Sequence, residues 1–303
     1  MKTRLIGTLC AAMASLAAPL HAQDLGPQVR KVKEGIYVYA ARAQDSNVNF
    51  IVTGEGLVMI DTGQTPADSH VALGIAKKLT SQPVRFILHT EPHDDHTIGD
   101  FVFSPPAVVI AHAGAAEVMK KVAAASSQRN EKFAAEYPSA RDSLKGYRQV
   151  LPAIEYQQRM SLNVGERSFE LIYLKNVHSE ADTAVWLPRE RVLWAAAVVG
   201  VKRFPNIRPF LTIPDILAAI KTLRALNPEV VIAGHGAPGT PQLFDEMERY
   251  YGLLLERVGR MAREGRTLEQ VKAELKMPEF DDWAGKERLP SNIDAAWKAV
   301  KGS

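Results

Sequence analysis

LHTEPHDDHTIGD, residues 88–100, packs three histidines, two aspartates and one glutamate into the eight positions from His89 to His96. That is an unusual density of metal-capable side chains for a loop. Imidazole and carboxylate groups suit zinc and its neighbours, and ligands two residues apart on a turn can converge on one ion. His93, Asp95 and His96 have this compact spacing, and Glu91 stands two residues upstream. The stretch is entered from VRFILHT (84–90), a short apolar run that reads as a strand. A strand end thus delivers the chain straight into the charged residues, and loops held by strand ends are where sites are usually built.

Working outward, GIYVYAARA (35–43) and NVNFIVTGEGLVMIDTG (47–63) cluster β-formers around the turn Gly54-Glu55-Gly56, which predicts early strands and a hairpin. TPADSHVALGIAKKLTS (65–81) has helical spacing of Val71, Leu73, Ile75 and Leu79, with a start near Pro66 or Asp68. AVVIAH (107–112) reads as a strand and AGAAEVMKKVAAAS (113–126) as a helix; the polar residues from Gln128 to Tyr147 read as a partly helical surface excursion. In the second half SFELIYL, TAVWLP and VLWAAAVVG are expected strands, IPDILAAIKTLRAL an amphipathic helix and EVVIAG a strand. From Pro241 onward the pattern is mostly helical, with LLLERVGRMAREG and TLEQVKAELK the clearest pieces. β-rich blocks followed by helix occur twice, without a linker or low-complexity segment between them. One α/β domain over residues 23–303, with two similar layered halves, is the simplest expectation.

The composition is that of ordinary globular material: 303 residues, 46% hydrophobic and 23% charged. At the N-terminus Lys2 and Arg4 precede an apolar run from Leu5 to Leu20, and Ala22 offers a small residue for cleavage, so residues 1–22 read as a secretory signal peptide. The run is short for a membrane anchor, and the bulky Leu9 before Cys10 argues against lipoprotein processing. Cleavage removes the one cysteine, leaving nitrogen and oxygen as the metal ligands. The remaining balance is 35 Lys and Arg against 34 Asp and Glu, which offers no electrostatic footprint for nucleic acid. The expectation is a periplasmic or secreted protein, without a stable membrane anchor, acting on a small molecule.

Further candidate ligands stand at other predicted strand ends. His178 lies in LKNVHSEADTAVWLP, between two strands, and His235 in VVIAGHGAP, after a strand and between glycines. A single histidine in such a place is more often a core or surface residue; it is the three segments together that point to metal. His70, His112 and His21 are not assigned to metal. His89 has the spacing to stand in for a ligand but belongs to the strand.

In these residues the chain resembles the metallo-β-lactamase superfamily, whose pattern is HxHxDH after a strand and then single histidines after later strands. Asp95-His96, followed by Thr97 and Gly99, sets the frame, which leaves Glu91 where that family has its first histidine. The resemblance implies the αββα four-layer sandwich of that fold and two divalent metal ions, zinc first, with iron or manganese as alternatives. Carried over by position, Glu91, His93 and His178 would hold one ion, and Asp95, His96 and His235 the other. Asp61, in LVMIDTG, falls where the family keeps an acidic residue beneath the metals, with a supporting role toward a ligand or loop. Members with a bridging aspartate carry it in a stretch of the type LFAGD; here VLWAAAVVG puts Ala197 or a neighbour there. The expected compensation is in charge: Glu91 and Asp95 supply two carboxylates, with a hydroxide between the ions. Cysteine-free zinc β-lactamases and periplasmic hydrolases associated with quinoprotein or sulfur-oxidation systems look nearest.

The chemistry so implied is attack on a carbonyl by a metal-activated hydroxide that Asp95 helps to orient. No GxSxG elbow and no Gly-rich phosphate loop offers a rival. VVGVKRFPNIRPFLTIPD (198–215) places Lys202, Arg203 and Arg208 among Phe204 and Phe210, a rim suited to a carboxylate-bearing substrate such as a β-lactam. The alternatives are a lactonase- or thioesterase-like housekeeping hydrolase, an iron-containing redox relative, and a catalytically silent metal-binding accessory protein.

Overall fold

The computed structural model describes residues 24–124, Ala135 and residues 142–302. Residues 1–23, which include the expected signal peptide and Cys10, and most of the polar stretch after Gln128 lie outside the described residues.

Two sheets carry the fold. The first joins β1 (Val29–Lys33), β2 (Ile36–Tyr39), β3 (Val48–Thr53), β4 (Gly56–Ile60), β5 (Val84–Leu88), β6 (Val108–His112) and β7 (Ile154–Tyr156), in that order. β1 to β4 pair antiparallel, and β4 to β7 pair parallel. The expected hairpin is β3–β4, with Thr53 opposite Gly56. The second sheet runs β12 (Val230–Ile232), β11 (Val192–Trp194), β10 (Asp182–Leu187), β9 (Arg167–Leu174), β8 (Arg159–Val164); only β11 and β12 are parallel.

Because side chains alternate across a strand, each sheet buries both faces. Ile51, Ile60, Leu88 and Ile110 meet Phe169, Val185, Trp194 and Ile232 between the sheets. Phe50, Met59, Ile87 and Val109 turn the other way and pack on Ala72 and Ile75 of α1 (Pro66–Leu79). On the far side Ala184, Trp186, Leu193 and Val231 pack on α5 (Ile213–Arg224), α6 (Gln242–Arg263) and α8 (Leu289–Lys301). The result is the helix–sheet–sheet–helix arrangement expected. α4 (Ala113–Ala124) follows β6, and α7 (Leu268–Glu274) opens on a capping box between Thr267 and Gln270. α1 and α5 both start with a threonine cap and a proline in the first turn. Among the described residues no helix is long and apolar enough to cross a membrane.

One expected strand is cut short. VLWAAAVVG is extended only over Val192–Trp194; Ala196–Val198 form a 3-10 turn. Ala196 takes the left-handed conformation, φ 48°, and its carbonyl accepts from the Gly234 N–H at 3.0 Å, so the chain folds back beside the end of β12. This turn, the residues after β4, β5 and β12, and the turn before β10 all gather at one edge of the sandwich. The ends of parallel strands are where α/β sheets commonly place ligands.

Candidate metal centre

β5 ends at Leu88, and His89 to Pro92 run on without regular structure before two short helical turns, α2 (Asp94–Thr97) and α3 (Asp100–Phe103). The loop is tied on three sides. Thr183 N–H donates to the Thr90 carbonyl at 2.7 Å, Asp61 N–H to Leu88 at 3.0 Å and Thr62 N–H to His96 at 2.8 Å. Gly99 lets α3 come down on α1: a Cβ there would lie 2.0 Å from Ser69 Oγ and 2.6 Å from the Thr62 carbonyl.

Two groups of ligand-capable atoms result, Glu91 with His93 and His178, and Asp95 with His96 and His235, the atoms of each group lying within 4.8 Å of one another. In the second, His96 Nε2 is 3.3 Å from His235 Nε2 and 3.8 Å from Asp95 Oδ2, and His235 Nε2 is 3.3 Å from the same oxygen. Ligands at 2.0–2.2 Å around a tetrahedral ion stand about 3.3–3.6 Å apart, so this triangle fits one zinc-sized ion. In the first, His178 Nε2 is 3.4 Å from Glu91 Oε2, and His93 Nδ1 touches the same oxygen. Glu91 is 1% exposed, and its Oε1 has no hydrogen-bond partner. A buried carboxylate oxygen left without a donor suits a cation. These six residues are therefore a fitting donor set for two divalent ions.

Supporting groups fix which ring nitrogen faces inward. His96 Nδ1 donates to Asp61 Oδ2 at 2.8 Å and His235 Nδ1 to the Gln44 carbonyl at 3.0 Å, which leaves both Nε2 atoms toward Asp95. Asp61, φ 57°, also accepts from Thr90 N–H at 2.9 Å and Thr90 Oγ1 at 2.6 Å. Burial pushes the Asp61, Glu91 and Asp95 carboxyls up, but the surrounding histidines outweigh it and hold all three below their usual range. Burial lowers His96, yet Glu91, Asp61 and Asp95 together raise it well above an ordinary histidine. For His178 burial prevails, helped by Arg208, and the ring falls to about 4. His178 is thus neutral at pH 7, the state a metal needs.

His89 faces away from both groups: its Nε2 donates to Asp100 Oδ2 at 2.9 Å. His112 bonds the Gln157 carbonyl and stacks on Tyr173 instead.

Glu91, His93, His178, Asp95 and His235 floor a cavity of about 270 Å³ whose wall includes Ala197, Phe204, Asn206, Arg203, Arg208 and Arg288, while His96 is buried beneath. Arg208 lies 3.2 Å from His178 Nε2 and donates to the His178 carbonyl. Lys202 is a correction to the expected rim: it sits in the left-handed region at φ 47° and turns outward to pair with Asp282 at 2.6 Å. Phe210 is likewise exposed, whereas Phe204 is buried in the wall.

Two residues with a part in the site escaped the sequence reading. Asp182 Oδ2 accepts from the His178 N–H at 2.7 Å and the Ser179 N–H at 2.9 Å, and its Oδ1 from Ser179 Oγ at 2.7 Å, so it shapes the turn that carries His178. The Ser-x-x-Asp spacing before a strand was its signal. Arg288, just before α8, reaches the cavity from 80 residues beyond Arg208 in sequence. Nothing local announces it.

In comparison with known families, the family model "Metallo-beta-lactamase superfamily" matches residues 41–235, well over half of the chain. The chain belongs to the metallo-β-lactamase superfamily. That superfamily is generally hydrolytic and binds divalent metals, and the matched region of this member ends on His235. Its fold is similar to a stereoselective inverting sec-alkylsulfatase from Pseudomonas sp. (TM-score 0.68, 19% identity, 90% of this chain and 50% of that one). It is also similar to a metallo-β-lactamase from Pontibacter korlensis (0.56, 21%, 72% and 95%) and a metallo-β-lactamase family protein from Thermus thermophilus (0.65, 16%, 90% and 95%). Among curated proteins it is 27% identical over 184 residues to the 2,4-dinitroanisole O-demethylase subunit alpha of Nocardioides sp. (strain JS1661), covering 59% of this chain and 49% of that protein. The superfamily member described here thus spans about half the length of that curated relative.

Proposed function

We propose that the protein is an exported, zinc-dependent hydrolase that opens an amide or ester carbonyl in a small anionic molecule, a β-lactam being the leading named candidate. One observation carries this reading: the two ligand groups lie side by side on the floor of a cavity whose wall holds three arginines. Among the described residues the one ion pair recorded for Arg203, Arg208 or Arg288 is Arg288 with Glu287, at 3.8 Å. Burial first, then Arg203 and Arg208, push Arg288 below its usual range, a mark of cations crowded together. Such a wall favours a substrate that brings its own negative charge.

Glu91, His93 and His178 would hold one ion, and Asp95, His96 and His235 the other; four imidazoles and two carboxylates suit zinc. Bound there, divalent ions lower the pKa of coordinated water toward neutrality and polarise a carbonyl. The chain's own groups do the rest. The Asp95 side chain, 29% exposed, opens onto the cavity, where its carboxylate accepts a hydrogen bond from the attacking water and orients it. The arginines hold the substrate carboxylate and fix the carbonyl over the floor, while Phe204 and Ala197 give the wall its apolar part. Export, with residues 1–22 removed, brings the enzyme to small molecules entering the periplasm.

The test joins elemental analysis of the mature protein to a hydrolysis screen of nitrocefin, a carboxylate-bearing lactone and a phosphodiester. The expected result is zinc near two equivalents, with lactam or lactone turnover that a chelator abolishes and zinc restores. Turnover that persists in metal-free protein, or none on any carbonyl substrate, would overturn the reading.

A further inference from the structure

We propose that the Glu91 carboxylate spans the two ligand groups, with one oxygen serving each, rather than completing the first group alone. The proposal rests on the two-ion reading above. Glu91 Oε2 is 3.4 Å from His178 Nε2, and Glu91 Oε1 is 3.3 Å from His96 Nε2. Both separations are those of neighbouring ligands on a tetrahedral ion, about 3.3–3.6 Å. The second equals the His96–His235 and His235–Asp95 spacings of 3.3 Å within the second group. Oε1 therefore stands at ligand spacing from one member of that group, His96, and it has no hydrogen-bond partner.

Two neighbouring carboxylates, Asp61 and Asp182, are engaged elsewhere, and Asp95 already belongs to the second group. Asp61 spends both oxygens on Thr90 and His96, and Asp182 spends both on the turn at His178 and Ser179. On the cavity wall Ala197 has a methyl side chain and so no side-chain oxygen. Glu91 itself is fixed in place: it is 1% exposed, follows Thr90, whose carbonyl accepts from Thr183 at 2.7 Å, and precedes Pro92. A carboxylate so confined, with its two oxygens apportioned to two groups, is built to link them. A histidine in its place could serve the first group but not both.

The experiment isolates the second group. His178→Ala removes a donor from the first, so one zinc ion is expected to remain on Asp95, His96 and His235. Its affinity is measured by chelator competition with Glu91 present and with Glu91→His added. The electronic spectrum of the cobalt-loaded protein is recorded in parallel, and circular dichroism checks the fold. A spanning Glu91 predicts that the added substitution weakens the remaining ion at least about tenfold, the lower bound seen even for outer partners of ligands, and shifts the cobalt bands. Equal affinity and unchanged bands would show Glu91 to serve the first group alone. Should His178→Ala fail to fold, His93→Ala gives the same comparison. If the unsubstituted chain binds fewer than two ions, the two-ion reading falls and the link falls with it; two ions with an indifferent second group would remove the link only.

Discussion

Asp61 and Arg288 show how differently single residues enter this site. Asp61 sits at the end of β4, in a backbone conformation that aspartate tolerates better than most residues, and its carboxylate binds Thr90 and the His96 ring at once. Asp61→Ala is expected to lower zinc affinity by about 10–100-fold, read by chelator competition, because His96 would lose the partner that sets its tautomer. Arg288 lines the cavity instead, and on the proposed function it meets the substrate. Arg288→Ala is expected to raise KM for a carboxylate-bearing substrate about tenfold or more, the loss of a hydrogen bond to a charged group, with kcat little changed. A matched neutral substrate should show no such rise. The six candidate ligands and Asp61 could be picked out in the sequence through the dense stretch after a strand and the family resemblance, and the structure brings them together. Arg288 could not, because only the packing of the C-terminal helices on the second sheet brings it to the cavity. Lys202 misled for a related reason: its charge is plain in the sequence, while φ 47° decides which way it points.

At the scale of elements the site depends on close approach. α3 lies against α1 because position 99 has no side chain; Gly99→Ala would drive a methyl group into Ser69 and the Thr62 carbonyl. That substitution is expected to destabilise the fold by about 1–3 kcal/mol, the usual range for overpacking, in a denaturant titration. It should also loosen metal binding, since Thr62 N–H bonds the His96 carbonyl. Most elements were legible from hydrophobic pattern alone. The edge strand β8 was missed although Met160, Leu162 and Val164 alternate with the exposed Arg159, Ser161 and Asn163; its polar half dilutes the apolar signal. VLWAAAVVG failed in the other direction. Its apolar run looks extended, but periodicity does not register the left-handed turn at Ala196, which no strand can continue through.

For the whole molecule, two sheets with both faces buried also bury several tyrosines. Burial pushes the Tyr39 phenol up to about 12 and raises Tyr156, Tyr250 and Tyr251 as well. Below about pH 10 these groups are neutral in folded and unfolded chains alike. As pH rises above about 10 the unfolded chain ionises first and binds fewer protons, so stability falls, by up to about 1.4 kcal/mol per pH unit for each tyrosine. The denaturation midpoint followed against pH, together with tyrosinate absorbance, should show unfolding and ionisation moving together; free titration of these phenols in a fully folded chain would contradict their burial. The metal centre is the second contribution at this scale. It joins residues from Asp61 to His235 across both sheets, so ions bound there should raise the melting temperature, by about 2.7 kcal/mol of stability per site at a hundredfold excess over Kd. The most direct test of the centre as the seat of hydrolysis is to titrate zinc into the metal-free protein while measuring turnover of a carboxylate-bearing lactam or lactone. Activity should climb through the second equivalent and then level off. A plateau at one equivalent, or turnover indifferent to zinc, would contradict a two-ion hydrolase.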